Sequence, residues 1–214
     1  MSKLSRREFL KVSALVVGGS VLVCGGAGAL AAKSPTIIFP DESYGEEKMS
    51  EKNVLVAYSS KCGSTAEVAE KIGAVIAARG FRVDVKPASA VDSLKGYQSV
   101  ILGSAIRMGS WLPEMLTMAK KHQAELAGLP VSIFTVHLQN TEDTPEARQA
   151  RDQYIAPIKA VVPAKSEVFF AGRTDFSKMS FFDKTICKMM KAVEEDKRDW
   201  KAIEAWADTT ATAM

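Results

Sequence analysis

The stretch that most constrains this chain is Asn53-Val-Leu-Val-Ala-Tyr-Ser-Ser-Lys-Cys-Gly-Ser-Thr-Ala-Glu-Val68. Val54 to Tyr58 is a short apolar run rich in β-branched and aromatic residues, which predicts a buried strand. A polar turn follows, and then Val68, Ile72, Val75 and Ile76 recur with the period of one buried helix face. Ser64 followed by Glu67 predicts a capping box at the helix start, and Gly80 predicts its end. A strand feeding a hydroxyl-rich turn into a helix places unpartnered N–H groups and the positive end of the helix dipole at one point. Such a loop holds a phosphate. The plainer alternative is an ordinary turn with a capped helix, since short hydroxyl-rich turns are common.

The turn is neither a Walker loop nor G-x-G-x-x-G. Ser60-Lys-Cys-Gly-Ser-Thr65 resembles the phosphate loop of the flavodoxins, roughly [ST]-x-T-G-x-T, with Cys62 at the middle threonine. The resemblance implies FMN, held by its phosphate at Ser59, Ser60, Lys61, Cys62, Gly63, Ser64 and Thr65.

The amino end carries an address. Ser5-Arg-Arg-Glu-Phe-Leu-Lys11 reproduces the twin-arginine export pattern at every position, and a glycine-rich apolar segment runs from Val12 to Leu30. Ala29-Leu-Ala31 offers a small-x-small cleavage site, with Ala27-Gly-Ala29 as a second choice. Residues 1–31 are therefore expected to be a signal, with an uncut membrane anchor as the alternative. Val23 before Cys24 argues against lipidation. The twin-arginine translocase carries folded proteins, which suits a chain loaded with a cofactor before export to the periplasm or another extracytoplasmic space.

Removing the signal changes the charge balance. The full chain has 28 Lys and Arg against 25 Asp and Glu; residues 1–31 contain four basic residues and one acidic, leaving 24 of each. A near-neutral domain gives no electrostatic case for nucleic-acid binding. Cys62 and Cys187 are not a disulfide framework, and no CxxC or His/Cys cluster suggests a metal.

Residues 32–52 contain Pro, Ser and Glu without a period and are expected to be a linker to a domain at 53–210. Strands are expected at 81–86, 99–104, 130–138 and 167–171. Helices are expected over 112–126, with Met115, Leu116, Ala119 and Leu126 inward, and over 145–161, with Ile155 and Ile158 inward and Pro157 near its end. This is an α/β doubly wound chain: a five-stranded parallel sheet, order 2-1-3-4-5, with helices on both faces, as in the flavodoxins. Beyond it, Phe182, Ile186, Met189 and Val193 share a helix face flanked by Lys184, Lys188 and Lys191. That pattern suits a membrane surface, or a helix laid over the sheet. Trp200, Ile203 and Ala207 mark a final covering helix capped by Asp199.

Ligands of such sheets sit past the carboxyl ends of the strands at the switch point. The rule selects Ser59 to Thr65, then Ser104-Ala105-Ile106-Arg107-Met108-Gly109-Ser110-Trp111, then the loop opened by His137 and Leu138 and running to about Thr144. The middle loop offers backbone to a flat heterocycle, with Met108 or Trp111 against its face. Both also read as core or rim packing.

Ile101-Leu-Gly-Ser-Ala-Ile-Arg-Met-Gly109 resembles the G-[AS]-[AS]-I-R-x-G segment of the menaquinone-dependent protoporphyrinogen IX dehydrogenases, which are flavodoxin-fold FMN enzymes. Met118 to Leu126, Phe181 to Lys184 and Asp199-Trp200 are similar too, so the likeness spans about residues 53 to 207. Two departures stand out: Met108 where the family often has an aromatic residue, and an export signal where the family acts at the cytoplasmic side of the membrane. The resemblance implies an FMN-dependent oxidoreductase passing electrons from a reduced organic substrate or redox partner to a quinone-type acceptor. The alternatives are an exported flavodoxin-type electron carrier and a flavin-free adaptor. Arg107, in a loop without a carboxylate, is expected to raise the flavin potential; otherwise it is a solvated surface residue or a phosphate-side clamp. Cys62 is read as a small residue beside phosphate in preference to a reactive thiol. His137 is weighed between proton relay and structural residue.

Overall fold

The apolar runs become the strands of one sheet, described in a computed structural model covering residues 35, 37–45, 52–189 and 192–214. The twin-arginine segment lies outside the described residues. The strands are β1 Glu42–Tyr44, β2 Asn53–Ser59, β3 Arg82–Pro87, β4 Ser99–Arg107, β5 Ser110–Trp111, β6 Val131–His137 and β7 Ser166–Ala171. A small pair follows, β8 Arg173–Thr174 and β9 Glu195–Asp196. The helices are α1 Ser64–Ala78, α2 Pro113–Lys121, α3 Gln123–Ala127, α4 Pro145–Lys159, α5 Phe181–Met189 and α6 Trp200–Thr212.

The main sheet runs β1-β3-β2-β4-β6-β7, and β5 pairs with β4 off this path. Its five parallel strands β3-β2-β4-β6-β7 have the expected order 2-1-3-4-5. The three central strands, β2, β4 and β6, are buried on both faces and read as continuous apolar runs, whereas β3 alternates and β7 is only partly buried. Alternate residues feed two cores. Leu55, Ala57, Leu102 and Ile133 meet Met115, Ala119, Leu126, Ile155 and Ile158. Val54, Val56, Ile101 and Phe134 meet Val68, Ile72, Ile76, Ile203 and Ala207 on the other face.

Three expectations change. The linker is partly sheet: Glu42–Tyr44 pairs antiparallel with β3, and the Tyr58 hydroxyl donates to the Pro40 carbonyl at 2.7 Å. The helix expected over 112–126 breaks at His122, whose φ of −107° and ψ of 20° leave the α region, and whose Nδ1 lies 2.8 Å from Glu125 Oε1. The capping box does not form. Gly63, with φ 85°, is the helix N-cap and gives no side-chain bond, while Ser64 and Glu67 face other partners. The cap expected at Asp199 forms, accepting from the Ala202 N–H, and Thr144, not foreseen as a cap, accepts from the Ala147 N–H.

Candidate functional site

The carboxyl ends of β2 and β4 lie side by side, with Ser59 opposite Ser104. The β2–α1 loop folds over this point. Ser60 Oγ accepts from the Gly63 N–H at 3.1 Å and holds the turn from within. The positive φ of Gly63 lets the loop swing directly into α1, a conformation strained for any residue with a Cβ. Ser59 Oγ is buried with no partner among the described residues. A buried hydroxyl without a hydrogen bond is costly, so an orphan at the mouth of a helix N-terminus marks where a ligand oxygen fits. Thr65 is buried in the first helical turn.

Ser64 and Glu67 are committed to the C-terminal segment. Ser64 Oγ accepts from the Arg173 N–H at 3.1 Å. Glu67 binds Arg173 at 2.9 Å, Lys178 at 3.1 Å and Arg198 at 2.5 Å. Burial alone would raise the Glu67 pKa, but hydrogen bonds from Arg198 and Lys178, with the Arg173 charge, hold it below the ordinary carboxylate value. Arg198, 3% exposed, also binds Asp196 and stacks 4.5 Å from the Trp200 ring.

The Ile-Arg loop is a hairpin: Arg107 pairs with Ser110 across Met108 and Gly109, with φ values of 53° and 78°. Two successive positive φ angles give the two-residue turn that matches strand twist. Met108 projects into solvent. Trp111 does not offer a face to a ligand ring, since it is 1% exposed and its indole N–H donates to Thr135 Oγ1 at 2.9 Å. Ser104 Oγ is spent internally, accepting from the Leu112 N–H and donating to the Ala105 carbonyl, both at 2.9 Å. Ala105 and Ile106 are half-buried on the same strand, and Gly109 and Ser110 complete the turn.

Arg107 does meet a carboxylate. Its guanidinium donates to Asp183 at 2.7 Å, from α5, which sequence separation hid. Lys61 similarly pairs with Glu114 at 2.6 Å. Burial, then the Asp183 charge, pushes the Cys62 thiol up, which disfavours its thiolate. His137 is buried between Tyr154 and Phe169, with Nδ1 2.7 Å from the Gln139 carbonyl. Burial lowers its pKa, so it stays neutral near pH 7 and serves as packing. Leu138 follows it, half-buried at the strand end.

Lys61, Cys62 and Arg107 line a cavity of about 350 Å³ together with Pro35, Ile37, Lys178, Ser180, Phe182 and Asp183. The last four were not expected from sequence. They come from the segment after β7, brought over the phosphate loop by the Glu67 cluster. Lys178 Nζ lies 3.6 Å from where a Cβ on Gly63 would stand. The cavity is thus a small cleft with three cations at its wall, each already paired with a carboxylate (Lys61 with Glu114, Arg107 with Asp183, Lys178 with Glu67), beside an N-terminal helix end and an orphan hydroxyl. That donor set fits a phosphate monoester.

An open, mostly parallel sheet with such a loop at its switch point defines a doubly wound α/β protein. A family model described as a flavodoxin domain matches residues 55–201, and the chain belongs to that family. A protoporphyrinogen IX dehydrogenase (quinone) of Leishmania major is 25% identical over 172 residues, covering 73% of this chain and 74% of that protein. The protein of the same name from Escherichia coli K12 is 22% identical over 167 residues, covering 72% and 91%. Among solved structures, the flavodiiron core of Flv1 from Synechocystis sp. PCC6803 superposes with a TM-score of 0.50 at 14% identity, over 76% of this chain and 36% of its own. A flavodoxin from Streptococcus pneumonia TIGR4 gives 0.49 at 15% identity, over 76% and 99%.

Proposed function

We propose that the chain is an exported FMN-dependent oxidoreductase of the protoporphyrinogen-dehydrogenase type, moving electrons from a reduced organic substrate to a quinone-type acceptor. The observation that carries this reading is the β2–α1 loop: the orphaned Ser59 hydroxyl and the start of α1 at the switch point, beside a cavity walled by Lys61, Arg107 and Lys178. FMN bound there supplies the electron-transfer chemistry. Ser59, Ser60 and Thr65 offer hydroxyls to its phosphate, and the first turn of α1 offers N–H groups. The 107–110 hairpin would offer its backbone to the ring.

The Arg107–Asp183 pair modifies the electrostatic expectation. A lone cation beside the ring favours added electrons; a paired one does so less, because Asp183 offsets it. Arg107→Glu is expected to lower the midpoint potential, and Asp183→Asn to raise it. A potential that Arg107→Glu leaves unchanged or raises would remove Arg107 from this role.

The similarity to the two dehydrogenases and the intact twin-arginine pattern at Ser5 to Lys11 support the substrate class and the export route. Titration of the folded chain with FMN is the first test, and saturable binding is expected. Absence of saturation defeats the cofactor assignment. A loaded protein that protoporphyrinogen does not reduce, or that a quinone analogue does not reoxidise, defeats the dehydrogenase assignment while leaving FMN binding standing.

A further inference from the structure

Helix α5 is amphipathic, yet its apolar side faces water. Phe181, Phe182 and Met189 are 65, 49 and 50% exposed, Val193 just beyond it is 61%, and α5 has no buried residue. A helix covering the sheet would show the opposite arrangement. The helix is held from its polar side: Asp183 grips Arg107, and Ser180 Oγ accepts from the Asp183 N–H. The Arg107 contact brings the 107–110 hairpin alongside, and Met108 at its tip is 76% exposed. Five large apolar side chains thus stand out from α5, from the residues just beyond it and from the 107–110 turn, and one of them, Phe182, lines the cavity. Scattered exposed hydrophobics need no explanation, but a contiguous group on one helix and the neighbouring turn marks an interaction surface.

The charges choose the occupant. Near α5 the carboxylates are engaged: Asp183 with Arg107, Glu194 accepting from the Phe176 N–H, Glu195 with Lys197. Lys184 and Lys188 have no ion-pair partner among the described residues. Apolar side chains with flanking lysines are complementary to an anionic lipid surface, where the rings enter the headgroup boundary and the ammonium groups meet phosphates. Among the described residues no helix is long and apolar enough to cross a membrane, so the contact is peripheral. We infer that α5 and the Met108 turn form a docking face for an anionic bilayer, with the mouth of the cofactor cavity turned toward the lipid. The inference rests on the proposed function only for its purpose, which is access to a quinone-type acceptor dissolved in the membrane.

The test uses the full chain and vesicles of phosphatidylcholine with or without phosphatidylglycerol. Residues 1–31 are apolar and basic and can hold the protein on vesicles by themselves, so a local probe is needed. Phe181→Trp is expected to be quenched by brominated lipid in anionic vesicles beyond the quenching of the native tryptophans. Added to the Phe181→Trp chain, Met189→Ser with Val193→Ser is expected to cut this quenching about tenfold, and Lys184→Gln with Lys188→Gln to cut it about thirtyfold on anionic vesicles. A Phe181→Trp protein that floats with vesicles unquenched overturns the inference, since the amino end then does the binding. So does a concentration-dependent dimer in sedimentation velocity that Met189→Ser with Val193→Ser dissolves, since the face then meets a second copy. FMN titration of the same samples separates the readings. Normal FMN binding without quenching defeats the docking face alone; quenching without FMN binding defeats the cofactor reading alone.

Discussion

At Gly103, in the middle of β4, an added Cβ would lie 1.9 Å from the buried Phe134 ring on β6. No rotamer change clears a ring packed at 0% exposure between Phe170 and Trp206. Gly103→Ala is expected to destabilise the domain by about 2–3 kcal/mol through overpacking, read as a lower urea midpoint at unchanged slope. In that background Phe134→Leu should cost much less than it does alone, because the two changes share one space. Met108 presents the reverse case. It holds φ 53° at a turn position that favours Asn or Gly, so Met108→Asn is expected to stabilise by about 0.5–1 kcal/mol. If a docking face requires Met108, the same change weakens vesicle binding while raising stability, which separates function from fold. At the loop itself, Thr65→Val keeps shape and removes a hydroxyl. It is expected to weaken FMN by about ten- to a hundredfold, the worth of one hydrogen bond to a charged group, with riboflavin affinity unchanged. Parallel titrations with the two ligands check this.

The segment from Arg173 to Arg198 behaves as one element because carboxylates hold its cations. Glu67 and Asp196 both have lowered pKa values in the fold. Hydrogen bonds from Arg198 bring Asp196 to about 2, and Glu67 falls below its ordinary 4.5 despite burial. A lowered carboxylate stabilises fully above its unfolded value and progressively loses that contribution as pH falls through the folded value. The segment should therefore be secure at pH 7, begin to loosen below about pH 4, and be largely released near pH 2. Pepsin cleavage confined to this segment at low pH, before the sheet unfolds, is the expected signature. Glu67→Gln should reproduce the release at neutral pH and cost about 2 kcal/mol, because the buried Arg198 keeps only Asp196 as an anion. Sequence reasoning could not see this cluster. Ser64 and Glu67 have the spacing of a local cap, but Arg173 and Arg198 lie 106 and 131 positions from Glu67. The central strands were legible because burial on both faces makes each an apolar run, and β3 was legible because Val83 and Val85 alternate with polar residues. The loop motif was legible because its geometry is local. The face of α5 was legible as a stripe, but periodicity records only that a stripe exists and not which way it points. Arg107 looked like a lone cation for the same reason: Asp183, its partner, is 76 positions away.

At the scale of the molecule, the parallel sheet has two edges and treats them differently. On one side β7 ends the sheet with Ser166 and Glu167, and Lys159 reaches Glu167 at 2.8 Å, so charge guards part of that edge. On the other side, the residues before Asn53 supply the guard. Glu42–Tyr44 covers β3, Ser43 Oγ donates to Asp84 at 2.6 Å, and Phe39 packs 6.5 Å from the Tyr58 ring. Gly45 makes the covering possible: with φ 93°, any Cβ there would lie 2.7 Å from the Phe81 carbonyl oxygen. What composition marks as a linker is therefore partly a structural clamp on the edge of the sheet. Pro35 and Ile37 also line the cavity, which ties this clamp to the candidate site. A chain beginning at Asn53 should lose the ladder, the Tyr58 hydrogen bond and the Phe39 contact, together about 2–4 kcal/mol. For a domain of this size that lowers the melting temperature by roughly 4–15 °C relative to a chain beginning at Pro35. The bare β3 edge should also make the shorter chain aggregate on heating, whereas the longer one refolds. Calorimetry and light scattering on the two truncations, with FMN titrated into each, decide the matter. Equal melting temperatures and equal FMN affinity would return residues 35–52 to the status of a linker, and the segment from Arg173 to Arg198 would then supply what is added to the sheet near its site.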